Sequence, residues 1–353
     1  VYHNALEQCR LADELGFDHV WAVEHHFLEE YSHCSAPEVF LTAVAAQTRR
    51  IRVGHGAVVC VPEMNHPVRV AERVAALDII SSGRLDFGTA RSSTWTELGG
   101  FAVNPDDTKK TWDEFVRALP RMWMQDEFEW QGKAFSMPAR NVLPKPYQDP
   151  HPPMYLACTR TESLVTAGHR GMGGLVLGFG GPEEIARKNA VYRQAWAERK
   201  PEEQVGFNPI EHLAALCPAI VLDDGQEARK IGIRGQRYFM ESLAYWYTGG
   251  EKPDHTKWAD EDLMVDQTTG GEVIKSRWAS EEVVVDFSDP SMALMNPNHA
   301  YGTVDDAIGY VSRLQQAGAD EILFICQMGT VPQWAQLETI KNIGEKVIPH
   351  FRR

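Results

Sequence analysis

Three adjacent side chains in this sequence could carry out acid–base chemistry, namely Glu24, His25 and His26. They lie at the end of an apolar stretch, residues 17–24, whose pattern is typical of a strand. Histidine and glutamate are also zinc ligands, so a metal site is an alternative. Successive side chains of a strand point to opposite faces, however, and this keeps His25 and His26 from sharing one ion. We therefore expect no metal, with His25 as a base and Glu24 tuning or orienting it.

Two other predicted strand ends carry side chains that suit a phosphate. At the first, Ala90 is followed by Arg91 and Ser92, and an arginine beside hydroxyl groups can pair with an oxyanion. At the second, hydroxyl groups and an arginine meet the start of a predicted helix, whose unpaired amides favour an anion. The residues of this second group are Cys158, Thr159, Arg160, Thr161 and Ser163. A plain helix cap by Thr159 or Thr161 is the alternative.

A fourth strand end is rich in small residues, among them Gly56 and Ala57. The backbone there can approach a flat, bulky group closely, although a need for packing room would explain the same pattern. No G-x-G-x-x-G motif follows a predicted strand, and this disfavours a dinucleotide. Together the four strand ends offer a base, a surface of small residues for a flat group, and side chains that can bind a phosphate. That combination suits a mononucleotide-like cofactor.

The elements that must bring these strand ends together alternate regularly along the chain. Seven predicted strands are each followed by a helix, and they cover residues 17–24, 51–59, 84–90, 154–157, 174–177, 213–222 and 321–327. A predicted helix, residues 2–15, precedes them all. Repeated βα units form a parallel sheet covered by helices, and eight strands close a barrel. We therefore predict an α/β fold, a (β/α)8 TIM barrel with its first strand missing from the chain. A doubly wound open sheet is the competing architecture.

We predict one domain, residues 1–353, with two insertions. The first, at about 126–152, contains a hairpin turn at residues 130–133 and many prolines, which exclude regular structure. The second, at about 249–301, has no clean period and would close over the site as a lid. In a barrel of this kind the active site lies at the carboxyl ends of the strands, where the candidate residues stand.

The composition excludes several classes of partner. The 353 residues include 35 basic and 49 acidic side chains, and the net charge of −14 disfavours nucleic acid and anionic membranes. The six cysteines show no paired spacing, so we expect reduced thiols rather than disulfides or a zinc motif. The given residues show neither the pattern of a leader nor an apolar run long enough for a membrane span, so we expect neither feature. We expect a cytoplasmic protein.

Four segments of the chain resemble the bacterial luciferase-like monooxygenases. They are LADELGFDHVW at 11–21, which runs into EHHF at 24–27, HPVRVAER at 66–73, LDIISSGRLDFG at 77–88, and AGADE at 317–321 with VIPHF at 347–351. The segments occur in the family's order and span nearly the whole chain. Any one of them alone would be unspecific.

The resemblance implies a barrel that binds reduced FMN, supplied by a separate NAD(P)H:flavin reductase. With O2, the reduced flavin oxygenates a small organic substrate. The family's base falls on His25, and its non-prolyl cis peptide, beneath the flavin ring, falls near Gly56 and Ala57. The phosphate contacts fall on Arg91 and on the turn from Thr159 to Ser163. A homodimer is the common arrangement in the family.

The sequence departs from the luciferases at one position and leaves three other functions open. Where luciferases have a cysteine beside the flavin, this chain has Ala90, which makes light emission doubtful. Hydride transfer with the deazaflavin F420, in the same fold, is the nearest alternative. A metal-dependent TIM-barrel hydrolase would use Glu24, His25 and His26. The third alternative is a non-catalytic flavin-binding barrel.

Overall fold

The computed structural model describes residues 1–92, 94–257, 273–275, 284–286 and 298–352. Within these residues the strands are β1 (His19–Ala22), β2 (Arg52–His55), β3 (Val58–Val59), β4 (Leu85–Ala90), β5 (Phe128–Gln131), β6 (Ser136–Arg140), β7 (Met154–Cys158), β8 (Gly173–Val176), β9 (Leu213–Val221), β10 (Val273–Lys275), β11 (Val284–Asp286), β12 (Ala300–Gly302) and β13 (Glu321–Ile325). Strands β10 and β11 form a separate antiparallel pair.

Helices follow the strands of the main sheet in alternation, and the unit of β12 and α9 was not predicted. They are α1 (Tyr2–Leu15), α2 (Pro37–Gln47), α3 (Pro67–Ile80), α4 (Trp95–Gly100), α5 (Thr108–Met124), α6 (Thr161–Arg170), α7 (Pro182–Ala197), α8 (Gly225–Thr248), α9 (Val304–Gln316), α10 (Gln333–Asn342) and α11 (Ile348–Phe351). A π-helical turn, Ile343–Val347, joins the last two. No helix in the described part of the chain is long and apolar enough to cross a membrane.

Local sequence signals explain where several helices begin and end. Helix α1 stops at Gly16, whose φ of 82° is left-handed and lets its amide bond back to the helix. Helix α9 begins with a capping box, in which Thr303 and Asp306 bond to each other's backbone amides. Helix α4 was not predicted. It is a six-residue helix that Thr94 caps through a hydrogen bond from the Glu97 amide.

The main sheet is parallel and curled, and its strands are neighbours in the order β1-β2-β4-β7-β8-β9. Strand β13 pairs with the first part of β9, and β12 pairs with its last residues. All seven predicted strands are present, and the predicted strand 51–59 forms both β2 and β3. The α/β prediction is confirmed as a curled parallel sheet. Within the described residues β1 and β13 do not pair, so the sheet stays open between them.

Two layers of side chains cover the curled sheet. The larger core lies between the strands and the helices around them. A smaller cluster lies on the inner face, where Trp21 and Leu323 pack with Tyr155, Leu175 and Ala214 from three other strands. The Trp21 ring covers Gly54 of β2, where a Cβ atom would come within 2.3 Å of the indole. Because these strands are parallel, all their carboxyl ends open at one mouth.

The first predicted insertion contains an antiparallel hairpin of β5 and β6. Its turn includes Gly132, whose amide donates to the Phe135 carbonyl at 3.1 Å, as the hairpin prediction requires. The expectation that proline excludes regular structure is wrong at Pro138, which lies within β6. Either strand of a two-stranded sheet is an edge strand, and proline is tolerated at such an edge. Most of the second predicted insertion, 249–301, lies outside the described residues.

Candidate active site

His25 stands just after β1 with its imidazole fixed on two sides. Its Nδ1 atom lies 3.0 Å from Oε1 of Glu97, and its ring meets the ring of Tyr31 edge-on, with centroids 4.8 Å apart. Its backbone amide donates to the Cys34 carbonyl at 2.9 Å. The side chain is 18% exposed, so it remains within reach of a small molecule. These contacts suit a histidine that exchanges a proton at one ring nitrogen.

Glu97 on α4 is a candidate site residue that was not predicted from the sequence. It is fully buried, and each carboxylate oxygen has two partners. Besides His25, Oε1 accepts from the His26 amide at 3.0 Å, while Oε2 accepts from the hydroxyls of Ser92 at 2.9 Å and Thr94 at 2.7 Å. Burial opposes ionisation, but the hydrogen bonds from His25, Thr94 and His26 outweigh it and lower the pKa of Glu97. The group is therefore an ionised acceptor.

Glu24 contacts His26 rather than His25. Its Oε1 lies 3.0 Å from Nε2 of His26 and accepts from Nδ2 of Asn65 at 2.8 Å, while its Oε2 accepts from the Val59 amide at 2.7 Å. The expectation that Glu24 orients His25 is wrong, because Glu97 makes that contact. Alternation could have indicated this, since residues 24 and 26 face the same side of an extended chain. Glu24 instead ties the end of β1 to the end of β3.

The peptide between Gly56 and Ala57 is cis, as the family resemblance implied. It separates β2 from β3, and the Gly56 amide donates to the Ala22 carbonyl of β1 at 2.7 Å. Gly56 is half-buried and Ala57 is buried. The role of these two small residues against a flat group stays a prediction.

Ala90, Arg91 and Ser92 stand at the end of β4, beside β3. The Ala90 carbonyl accepts from the Cys60 amide at 2.8 Å, and all three residues are half-buried. Ser92 has a left-handed φ of 58°, which turns the chain so that its hydroxyl reaches Glu97. The structure thus brings the Arg91 turn and His25 together through one carboxylate.

The group at the end of β7 lies next to the Arg91 turn, because β4 and β7 pair with Thr89 opposite Leu156. Thr159 and Thr161 are exposed, and Arg160 and Ser163 are half-buried. Arg160 is the N-cap of α6, and the helix start has no side-chain cap. The alternative of a threonine cap is therefore wrong, and the amides of Ser163 and Leu164 donate to the Arg160 carbonyl instead.

Cys158 does not contribute a side chain to this mouth. It is 1% exposed, its sulfur bonds to the Leu156 carbonyl at 3.2 Å, and it packs in the core between the sheet and the helices. Burial raises the pKa of this thiol well above its usual range. The prediction of Cys158 as a cofactor contact is wrong for its side chain, because it projects from the opposite face of β7.

Among the described residues, no group of three His, Cys, Asp or Glu side chains is close enough to hold a metal ion. His25 and His26 are each paired with a different carboxylate, Glu97 and Glu24. This pairing leaves the predicted cluster without a common centre. The geometry gives a metal-dependent hydrolase no support.

The fold and the strand-end site define the class of protein, and comparison with known families agrees. The profile described as luciferase-like monooxygenase matches residues 1–321. The chain belongs to this family, as its four segments indicated. Membership of this family supports the assignment of the chain as an oxidoreductase.

Three known proteins are similar to this chain, two of them in sequence and the third in fold alone. The oxygenase component of a flavin-dependent trigonelline monooxygenase from Acinetobacter baylyi is 26% identical over 70% of this chain and 66% of its own length. The monooxygenase RslO1 from Streptomyces bottropensis is 27% identical, covers 99% of this chain and 93% of its own, and superposes with a TM-score of 0.77. An F420-dependent secondary alcohol dehydrogenase with an F420-acetone adduct has a TM-score of 0.71 at 17% identity, over 100% and 96% of the two chains.

Proposed function

We propose that this protein is a flavin-dependent monooxygenase that uses reduced FMN and O2 to oxygenate a small organic substrate. The observation that carries the proposal is the contact of one buried carboxylate, Glu97, with both His25 and Ser92. It joins a candidate base to the turn that holds a candidate phosphate ligand, Arg91. When bound, the reduced flavin supplies the electrons with which O2 is activated.

The donor set at the mouth fits the phosphate of a flavin mononucleotide. Arg91 offers a planar, charged fork, and Thr159 and Thr161 offer exposed hydroxyls. The first turn of α6 has no side-chain cap, and it carries the positive end of the helix dipole. Gly56 and Ala57 leave backbone surface against which a flat ring can lie.

His25 is the residue that moves a proton in this proposal. Its imidazole is partly exposed and is fixed by Glu97, so it meets the requirement that a base be positioned before reaction. Glu24 does not contact His25 and acts indirectly, because it aligns His26 and the end of β3. Residues that close the mouth would exclude water from the reaction.

We also propose a separate NAD(P)H:flavin reductase as the partner that supplies reduced FMN. The trigonelline relative is named as an oxygenase component, and that name supports a divided system for this chain too. The homodimer and the cytoplasmic location inferred from the sequence remain predictions.

The test is an anaerobic titration with reduced FMN, repeated with F420, followed by rapid mixing of the complex with O2. We expect tighter binding of reduced FMN than of F420, and slower return of oxidised flavin than in free solution. Preference for F420 would instead favour hydride transfer in the same fold. Absence of binding to either cofactor would contradict the proposal.

His25→Asn separates an enzyme from a non-catalytic flavin-binding barrel. The variant should bind reduced FMN as the wild type does, while the oxidation kinetics of the bound flavin change by about 100-fold or more. His33→Asn, an exposed histidine on the same loop, is the matched control and should change neither. Unaltered kinetics in His25→Asn would favour the non-catalytic barrel.

A further inference from the structure

The imidazole of His25 has two nitrogens, and the structure distinguishes them. Nδ1 faces Oε1 of Glu97 at 3.0 Å, and Glu97 is a fully buried carboxylate with a lowered pKa. An ionised carboxylate only accepts hydrogen bonds. The proton of the neutral imidazole therefore belongs on Nδ1, and Nε2 is left with a lone pair.

The surroundings of Glu97 prevent it from taking any other orientation. The hydroxyls of Ser92 and Thr94 hold Oε2, and the His26 amide shares Oε1 with His25. The carboxylate is thus anchored by three donors other than His25. It can orient the imidazole without being displaced by it.

The ring of His25 is also kept from turning over. Tyr31 stands against it at an interplanar angle of 79°, and the His25 amide is bonded to the Cys34 carbonyl. A flip of the ring would exchange Nδ1 for a carbon and leave the buried Oε1 without this partner. The flip would cost a charge-assisted hydrogen bond to a buried carboxylate, and this disfavours the flipped ring.

We infer that Glu97 is a positioning residue that holds His25 as its Nδ1–H tautomer, so that Nε2 is the atom that accepts the proton in the reaction. The same carboxylate accepts a hydrogen bond from Ser92, so it also fixes the position of the Arg91 turn relative to His25. The catalytic meaning of this tautomer rests on the proposed function, but the tautomer itself is a property of the protein without flavin.

The test is a long-range 1H–15N correlation spectrum of the full chain with 15N-labelled histidine, recorded without flavin where His25 is neutral. The spectrum of His25→Asn identifies the His25 signals. We expect the wild type to show Nδ1 protonated and Nε2 unprotonated. An Nε2–H tautomer in the wild type would overturn the inference without need of any other variant.

Variants separate positioning from a merely structural role. In Glu97→Gln the Nδ1–H population should fall several-fold, because an amide can donate as well as accept, while Glu97→Asp should restore part of it. Ser92→Ala removes only a contact on Oε2, and its His25 tautomer should match the wild type. An unchanged tautomer in folded Glu97→Gln would contradict the role. Failure of flavin binding with the expected tautomer would count against the proposed function alone.

Discussion

The indole nitrogen of Trp21 on β1 donates a hydrogen bond to Oε1 of Glu321 on β13, at 3.0 Å. These two strands do not pair through their backbones within the described residues, so side chains join them. Glu321 also lies 3.1 Å from Nδ1 of His19 and 2.9 Å from Nε2 of His212. A small ionic cluster thus connects the two sides of the opening inside the sheet.

This cluster should make stability depend on pH above neutrality. Burial opposes the charged form of His19, but its pairing with the carboxylates of Asp86 and Glu321 outweighs it and raises its pKa from 6.5 to about 9. Because the folded protein binds this proton more tightly than the unfolded chain does, protonated His19 adds to the free energy of unfolding. The full contribution is present below pH 6.5 and is lost as the pH rises through about 9. The free energy of unfolding, measured with urea across this range, should therefore fall.

Glu321→Gln should flatten this pH dependence, because it removes one of the two carboxylates that charge His19. It should also lower the free energy of unfolding at pH 6.5 by about 1.5–3 kcal/mol, since Trp21, His19 and His212 lose a shared charged acceptor. Asp18→Asn, a change at an exposed carboxylate, is the control. Equal slopes in wild type and Glu321→Gln would show that His19 is not the group responsible.

Gly54→Ala should destabilise the protein by about 2 kcal/mol, because the new Cβ atom would lie 2.3 Å from the Trp21 ring. In a Trp21→Leu background the same change should cost much less, and the difference measures their coupling. Gly309→Ala in α9 is the matched control. That position is open, so alanine should stabilise the helix by about 0.5–1 kcal/mol. An equal cost of Gly54→Ala in both backgrounds would exclude the Trp21 contact as its cause.

His55 should make the protein sensitive to acid. It is 1% exposed and has no hydrogen-bond partner for either ring nitrogen in the described structure. Burial, and to a lesser degree Arg73, lowers its pKa to about 3. The unfolded chain therefore takes up a proton below pH 6.5 that the folded protein excludes, at a cost of about 1.4 kcal/mol per pH unit.

His55→Leu should remove this part of the acid destabilisation. The loss of unfolding free energy between pH 6.5 and about 5 should be smaller in the variant than in the wild type, as measured by urea denaturation. His33→Leu, at an exposed histidine, should leave the wild-type slope unchanged. The idea is wrong if His55→Leu loses as much stability in acid as the wild type does.

Arg91→Met should weaken the binding of reduced FMN by about 10- to 100-fold, the loss expected for one charge-assisted hydrogen bond. Reduced riboflavin, which has no phosphate, should bind the variant and the wild type alike. Both affinities can be measured by anaerobic fluorescence titration. Arg10→Met, on the surface of α1, is the control. If the affinity for riboflavin fell as much as the affinity for FMN, Arg91 would be supporting the flavin ring or the fold rather than binding the phosphate.

Much of the scaffold could be predicted from the order of residues. Apolar periodicity indicated seven strand regions, which form eight of the nine described strands of the curled sheet, and it missed β12. Gly16 marked the end of α1. These signals are local, because each element's own side chains decide which face it buries. The candidate strand ends were found for the same reason, since parallel strands present their carboxyl ends together.

The pairing of side chains at the mouth was decided only by the tertiary structure. Glu97 lies 72 positions from His25 on an unpredicted short helix, and no local pattern marks it as a partner. Glu24 contacts His26 rather than His25, and the Cys158 side chain packs in the core between the sheet and the helices. Such contacts depend on the strand register, the curl of the sheet and the path of the loops. The chain's own periodicity determined which elements form, while the packing of distant elements determined which acid meets which base.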